Sequence, residues 1–223
     1  MLPKKLQDKI DARARDSSLR SLGFRQDLID FSSNDYLGFS RSKEIYNKAC
    51  SILKQHNYQA NGATGSRLLT ANHPLYLDTE KQIATFHKTP SALIFNSGYD
   101  ANIGLFSCIP QRGDIILYDE FIHASIRDGI QLSNAKSFKF KHNDLFHLEE
   151  LIQRSKNINV SIYVITESVF SMDGDTPDLT LISEICKKYK LHLIEDAAHA
   201  FGTKYKNKYI QLKGGYGSIK SIE

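Results

Sequence analysis

The sequence has few cysteines and no long apolar run. Its three cysteines, Cys50, Cys108 and Cys186, form no CxxC pair and are odd in number, so we expect reduced core residues and no disulfide framework. The charged N-terminus, 1–16, lacks the apolar segment of a secretory signal, and no stretch approaches the length of a transmembrane helix. These absences predict a cytoplasmic protein without a membrane partner.

Two common kinds of cofactor site also lack their usual patterns. No predicted strand is followed by GxGxxG, the phosphate-binding loop of nicotinamide-dinucleotide enzymes. Metal-type side chains are present at Asp119, His123, Asp196 and His199, but their spacing matches no compact ligand motif. The sequence therefore predicts neither a Rossmann dinucleotide site nor a metal site.

The composition is that of an ordinary soluble domain, with 41% hydrophobic and 24% charged residues in a chain of 223. The net charge of +4 is spread along the chain, which indicates solubility and no nucleic-acid partner. The segment 202–223 interleaves lysine with tyrosine, a pattern that can contact nucleic acid. A solvated hairpin or loop is the preferred interpretation of that segment.

The clearest structural pattern extends from residue 160 to residue 202. Two β-branched runs, 160–166 and 191–194, flank apolar residues at helical spacing, which is typical of a strand–helix–strand crossover in a parallel sheet. The predicted fold class is therefore α/β, with a mainly parallel sheet between layers of helices. Further strands are predicted at 28–31, 92–98, 114–119 and 137–144, and helices at 3–22, 42–56, 74–87, 99–109 and 145–156. Residues 120–133 are predicted to be a loop that opens into a helix.

Polar residues follow four of the predicted strands, at the edge where open α/β sheets bind ligands. The four segments are 97–98, 119–123, 167–171 and 196–199. A Ser-Gly step that opens a helix presents backbone N–H groups and a positive dipole end, which suits a phosphate, although such a step is also a common cap. Together the segments predict a phosphate pocket, a carboxylate and two histidines around a flat cofactor.

Seven segments of the chain resemble those of the α-oxoamine synthases, and they occur in the family's order. The segments are SSNDYLGF, NGATGSRLL, FNSGYDAN, YDEFIHASIRDG, FKHND, TESVFSMDGDTPDL and EDAAH. The resemblance implies a fold-type-I transferase, a three-layer α/β/α sandwich that uses pyridoxal 5′-phosphate (PLP) and acts as a homodimer. It further implies condensation of an amino acid with an acyl thioester.

The family's residue roles carry over to the matching positions for the cofactor ring. The resemblance implies that His123 stacks on the pyridine ring and that Asp196 pairs with the pyridine nitrogen. A buried carboxylate keeps that nitrogen protonated, so that the ring can accept electrons. Ser171 and His199 are expected to hydrogen-bond the phenolic oxygen of the ring or groups near it.

The resemblance also implies positions for the phosphate and the substrates. Gly98 and Tyr99 are expected to bind the phosphate through their backbone N–H groups. Arg20 matches an arginine that meets the acyl substrate, and Asn34 lies in the substrate-facing segment SSNDYLG. The implied reaction joins L-alanine to a pimeloyl thioester, carried by coenzyme A or acyl carrier protein, with decarboxylation, in biotin synthesis. A glycine C-acetyltransferase-like reaction is the alternative within the family.

Two features depart from the family's pattern. The family's Schiff-base lysine lies a few dozen residues beyond the aspartate, and Lys220 is the one candidate in view, at a spacing that is short. The sequence of 202–223 instead resembles a segment of the sugar aminotransferases. A sugar aminotransferase and a non-catalytic fragment of the same fold therefore remain alternatives.

The domain expectations follow from the same resemblance. Residues 1–45 are predicted to form an N-terminal arm with a helix and a short strand, and 46–223 an incomplete large cofactor-binding domain. The small C-terminal domain is expected to be absent, and the chain is expected to be a truncated and inactive form.

Overall fold

The computed structural model describes residues 2–23, 28–155 and 160–201, and the backbone alone of 204–205, 208–209 and 219–221. The chain divides into two compact units, Met1–Gly62 and Ala63–Glu223. The domain boundary near residue 45 stays a prediction. No helix among the described residues is long and apolar enough to cross a membrane.

The described residues of the first unit form two α-helices and one short 3-10 turn. Helix α1 spans Lys4–Arg15, a short 3-10 turn spans Phe39–Arg41, and α2 spans Lys43–Gln55. The Ser42 side chain caps α2 by accepting a hydrogen bond from the backbone N–H of Ile45 at 3.3 Å. None of the described residues of this unit is buried. These described residues therefore form no hydrophobic core of their own.

Two predictions for the first unit are wrong. The predicted helix 3–22 ends at Arg15, because Ser17 has a φ of 53°, which the helix cannot continue. The predicted strand 28–31 does not form. Asp30 instead accepts hydrogen bonds from the backbone N–H groups of Ser32 and Ser33, at 2.9 and 3.1 Å, so the chain turns there.

A parallel sheet of five strands organises the second unit. The described residues of this unit contain seven strands in all, which are, in chain order, β1 Ile115–Asp119, β2 Lys136–Phe140, β3 Ile162–Glu167, β4 His192–Asp196, β5 Lys204–Tyr205, β6 Lys208–Tyr209 and β7 Ile219–Ser221. The spatial order of the sheet is β2-β1-β3-β4-β7, with every pair parallel. Strands β5 and β6 form a separate antiparallel pair, which agrees with the hairpin predicted within 202–223.

Helices cover both faces of this sheet. The helices of this unit are α3 Pro74–His87, α4 Gly98–Cys108, α5 Ala124–Leu132, α6 Leu145–Ser155 and α7 Leu179–Tyr189, and α4 to α7 pack on the sheet. Successive strand residues face opposite layers: Leu117 and Val164 lie in a core with α6 and α7, whereas Ile116 and Ile165 lie in a core with α4 and α5. The predicted three-layer α/β/α sandwich is confirmed.

The predicted strand 92–98 is not a strand in the structure. The backbone N–H of Ile94 donates to the carboxylate of Glu80 in α3, at 2.9 Å, and so is not part of a strand ladder. Strand β2 also ends at Phe140, earlier than predicted, because the chain turns at Asn143 with a φ of 54°. Among the cysteines Cys186 is buried, but Cys108 is exposed and is not the core residue that was expected.

Candidate active site

The carboxyl ends of three neighbouring strands place acidic side chains at one edge of the sheet. Strand β1 ends at Asp119, β3 at Glu167 and β4 at Asp196, and all three carboxylates are buried. Because the strands are parallel, these ends meet where open α/β sheets bind ligands. The predicted site edge is therefore present.

The N-terminus of α4 reaches toward the same edge. Ser97 caps the helix by accepting a hydrogen bond from the backbone N–H of Asp100 at 3.0 Å. Gly98 is buried and Tyr99 follows it, and helix geometry leaves the N–H groups of both without an intrahelical acceptor. These donors and the positive end of the helix dipole can hold an anion.

A chain of hydrogen bonds, buried except at the exposed His123, joins the two principal residues predicted for the site. The side-chain amide of Asn102, in α4, donates to the Asp196 carboxylate at 2.9 Å and to the Ser125 hydroxyl at 3.0 Å. The Ser125 hydroxyl lies 2.8 Å from Nδ1 of His123. We call Asp196, Asn102, Ser125 and His123 the Asn102 relay. It connects His123 to Asp196, and the roles of both residues stay predictions.

Glu167 lies directly beneath this relay. Its carboxylate accepts a hydrogen bond from the backbone N–H of His123. Burial, together with the nearby charge of Asp196, raises the pKa of Glu167 to about 7. The neighbouring Ser168 donates its backbone N–H to the carbonyl of Asp196 at 2.8 Å, and its hydroxyl to the Glu195 carboxylate. The ends of β3 and β4 are therefore locked together.

A second polar cluster surrounds His142, which follows β2. Its Nδ1 lies 2.8 Å from the Asp119 carboxylate and its Nε2 lies 2.7 Å from that of Asp175. Phe121 stacks on the imidazole and Phe170 meets it edge-on. Burial lowers the pKa of His142, but the hydrogen bonds and charges of the two carboxylates outweigh that effect, so the pKa is raised.

This cluster bears on the metal alternative considered from the sequence. Asp119 contacts His142 and the backbone of Asn143, whereas Asp196 contacts Asn102. Within the part of the chain that the structure describes, no group of three or more metal-type side chains is arranged to hold a metal ion.

The other predicted cofactor residues have separate positions. His199 is half-buried in the turn that follows β4, and Ser171 is exposed in the loop that follows β3. The hydroxyl of Tyr99 donates to the Asp128 carboxylate at 2.7 Å, which joins α4 to α5 and raises the pKa of the phenol. The backbone of Lys220 pairs with that of Glu195, but its side chain lies outside the described residues.

The two predicted substrate residues belong to the first unit. Arg20 and Asn34 are both exposed. The carboxamide oxygen of Asn34 accepts a hydrogen bond from the Tyr36 hydroxyl at 3.3 Å. Their roles stay predictions.

Sequence reasoning missed two buried polar residues of this site, Asn102 and Ser125, and gave no role to Glu167, which lies in the predicted polar segment 167–171. Each lies within a motif that carried the family resemblance, so the motifs themselves held the signal. Asn102 and Ser125 are polar residues on helix faces that pack against the sheet. A buried polar side chain needs a hydrogen-bond partner, and this requirement would have singled them out.

Comparison with known proteins gives this arrangement a family. The family model described as aminotransferase class I and II matches residues 26–215. The chain belongs to this family. Within it, a curated relative from Glaesserella parasuis is 42% identical over 197 residues, and one from Neisseria meningitidis is 40% identical over 178 residues. Both are provisionally named 8-amino-7-oxononanoate synthase, and the match covers 88% and 78% of this chain.

Solved structures of the same aminotransferase class place the chain near the α-oxoamine synthases. An 8-amino-7-oxononanoate synthase from Francisella tularensis is 30% identical, with a TM-score of 0.59 over 81% of this chain and 48% of that one. A serine palmitoyltransferase solved with PLP bound is also 30% identical, with a TM-score of 0.67 over 74% and 40%. The resemblance stated from the motifs is confirmed. The chain spans about half the length of the curated relatives that it matches.

Proposed function

We propose that this chain forms the cofactor-binding part of an 8-amino-7-oxononanoate synthase, which condenses L-alanine with a pimeloyl thioester and releases carbon dioxide. The observation that carries the proposal is the Asn102 relay, which joins the stacking residue His123 to the carboxylate Asp196 at the carboxyl edge of the sheet. The names of relatives at 40–42% identity support the choice of substrates.

Pyridoxal 5′-phosphate is the cofactor indicated by the family match and by the serine palmitoyltransferase that contains it. The described residues fit this group at both of its ends. The N–H groups of Gly98 and Tyr99 begin α4 and can take the phosphate. Asn102, which contacts Asp196, follows Gly98 by one helical turn, about 6 Å along the axis.

When bound, PLP withdraws electrons from the α-carbon of the amino acid. This chain supplies the groups that hold the cofactor ring in place for that chemistry. The carboxylate of Asp196 would keep a proton on the pyridine nitrogen, and the Asn102 amide holds that carboxylate in one orientation. His123 would cover one face of the ring, while Ser171 and His199 would hydrogen-bond its phenolic oxygen.

The acyl substrate would meet residues of the first unit. Arg20 would pair with a negative group of the thioester or its carrier, and Asn34 would lie beside the amino acid. Coenzyme A and acyl carrier protein both present phosphate, so the same arginine suits either carrier.

We also propose a homodimer. None of the residues described in the first unit is buried, and apolar side chains such as Leu22, Ile29 and Phe31 are at least four-fifths exposed. Large exposed apolar areas of this kind mark surfaces that other protein covers. A second copy of the chain is the partner that the resemblance implies.

The first test measures cofactor binding by absorbance. The purified chain should bind PLP more tightly than pyridoxal, which lacks the phosphate that α4 would hold. Asp196→Asn should weaken PLP binding about tenfold or more, because it removes a charge-assisted hydrogen bond to the ring nitrogen. Glu184→Gln, which removes an exposed charge on α7, is the matched control. Equal affinity for PLP and pyridoxal would contradict the proposal.

Borohydride reduction followed by peptide mapping then tests the covalent anchor. A single reduced adduct on Lys220 would identify that lysine as the Schiff-base residue. No fixed adduct, or scattered labelling of surface lysines, would instead mean that the chain lacks a specific anchor lysine and is catalytically incomplete. Product formation from L-alanine and pimeloyl-coenzyme A, measured by mass spectrometry with glycine and acetyl-coenzyme A in parallel, tests the substrate assignment.

A further inference from the structure

The Asn102 relay contains two buried residues that the proposed chemistry does not itself require. Asn102 and Ser125 are almost completely buried, in α4 and α5 respectively. Neither carries a charge, and the side chain of each forms hydrogen bonds with neighbouring protein groups. Their role must therefore come from the hydrogen bonds that they form with His123 and Asp196.

The donors and acceptors of the relay have a fixed direction. An amide nitrogen can only donate, and that of Asn102 contacts Asp196 and Ser125, so both of its hydrogens are used. Because the Ser125 oxygen accepts one of these bonds, its own hydrogen is available for Nδ1 of His123, 2.8 Å away. Hydrogen bonding therefore runs outward from Asn102 in both directions.

A second donor reaches the same nitrogen of His123. The side chain of His123 caps α5, with its Nδ1 accepting the backbone N–H of Ser125 at 3.2 Å. A nitrogen that accepts two hydrogen bonds carries no proton of its own. The neutral imidazole of His123 therefore has its hydrogen on Nε2.

We propose that Asn102 and Ser125 are positioning residues that hold His123 in its Nε2–H tautomer and in a single ring orientation. The same amide holds the carboxylate of Asp196, so the relay aligns the two groups that would contact the face and the edge of the cofactor ring. The inference rests on the proposed function only where it concerns contact with the cofactor ring. Asn102, Ser125 and Asp196 are buried, so water competes little for their hydrogen bonds, and these three groups are aligned before any ligand arrives.

Asn102→Asp tests the direction of the relay. An oxygen would replace the amide nitrogen, and the Ser125 hydroxyl would donate to it. The Ser125 oxygen would then accept a hydrogen bond from His123, which requires a proton on Nδ1. We expect the tautomer of His123 to change from Nε2–H in the parent chain to Nδ1–H in the variant. Asn134→Asp makes the same chemical change at an exposed position and should leave the tautomer unchanged.

The measurement is long-range proton–nitrogen NMR of the nitrogen-15-labelled full chain without PLP. It reports which ring nitrogen of each of the eight histidines carries the proton. The His123 signals are assigned by their loss in His123→Gln. An Nδ1–H tautomer in the parent chain, or an unchanged tautomer in a folded Asn102→Asp chain, overturns the proposal.

Ser125→Ala is the second variant, in case Asn102→Asp does not fold. It removes the shorter of the two donors to Nδ1, so the Nδ1–H fraction should rise, whereas Ser155→Ala, at a buried serine of α6, should not change it. Titration with PLP separates the two proposals. If the tautomers change as expected but PLP does not bind, the proposed function is wrong. The proposal that Asn102 and Ser125 set the tautomer of His123 is then still supported. If PLP binds equally well to a chain with the switched tautomer, the positioning role is wrong.

Discussion

At the scale of single residues, His142 connects three segments that are distant in the sequence. It lies between Asp119 at the end of β1 and Asp175 in the loop after β3, with Asn143 donating to the same Asp175 carboxylate at 2.7 Å. The backbone N–H of His142 also donates to the carboxylate of Glu120. A protonated imidazole donates from both nitrogens, so it satisfies two carboxylates at once.

The raised pKa of His142 predicts a stability that depends on pH. A histidine whose folded pKa is raised contributes stability that is fully present below the unfolded pKa of about 6.5, and that is lost as pH rises through the folded pKa. His142→Gln should therefore lower the free energy of unfolding by about 1–2 kcal/mol at about pH 5.5. The loss should be smaller at a pH above the folded pKa of His142. Urea unfolding at a series of pH values on both sides of that pKa measures the difference.

The control for this prediction is His56→Gln. His56 is exposed and ends α2, so its replacement should have little effect at any pH. A cost for His142→Gln that stays constant from acid to alkaline pH would show that only the shape of the side chain, and not its charge, stabilises the cluster.

At the scale of secondary-structure elements, one glycine sets the distance between α4 and α5. A Cβ atom added at Gly129 would lie 2.8 Å from the backbone oxygen of Asn102 and 3.0 Å from Cβ of Phe106. Only a residue without a side chain allows this approach. The approach in turn brings Asn102 within hydrogen-bonding distance of Ser125, one turn earlier on α5.

Gly129→Ala should therefore push the helices apart and weaken the relay. We expect a loss of about 1–3 kcal/mol in the free energy of unfolding, because the clash involves backbone that cannot move aside cheaply. Gly104→Ala is the matched control, since its Cβ would meet only the ring of Phe95 at 3.4 Å. That change should be neutral or stabilising, because alanine favours the helix. Equal stability of the two variants would contradict this account of the packing.

The elements that the sequence predicts well are those with strong periodicity and a definite cap. Helix α3 begins at Pro74 and ends at His87, as predicted, because proline suits a first turn. Strands β1, β3 and β4 were recognised from their apolar runs. The segment 92–98 also begins with an apolar run, yet the carboxylate of Glu80 accepts a hydrogen bond from the backbone N–H of Ile94, a contact that periodicity does not reveal.

The site shows the same division between local and non-local information. His123 and Asp196 follow strand ends and belong to recognisable motifs, so their placement at one edge could be predicted. The partners that join them could not. Asn102 and Asp196 are 94 residues apart in the sequence, and their contact depends on how closely α4 packs on the sheet and on α5.

At the scale of the whole molecule, the two units differ in how many of their described side chains are buried. The second unit has a core on each face of its sheet, whereas no described residue of Met1–Gly62 is buried. Helices of 12 and 13 residues are marginal in water when no tertiary packing supports them. The first unit therefore depends on a covering surface.

Hydrogen exchange should reveal this difference. In dilute solution the amides of α1 and α2 should exchange quickly, while those of β1, β3 and β4 stay protected, because exchange protection follows burial and cooperative packing. Helix α6, which has four buried residues, is the internal control in the same digest. Protection of α1 and α2 should increase with protein concentration if a second chain covers them. Strong protection at every concentration would contradict the prediction.

Strand β7 is the last strand of the sheet to be synthesised, and it pairs with a strand made earlier. It pairs with β4, and Ile219 follows Asp196 by 23 residues, so β4 is translated well before its second neighbour. At about 5–20 residues per second, roughly one to five seconds pass between them. For that interval β4 is the open edge of a growing sheet, and such an edge can pair with another nascent chain.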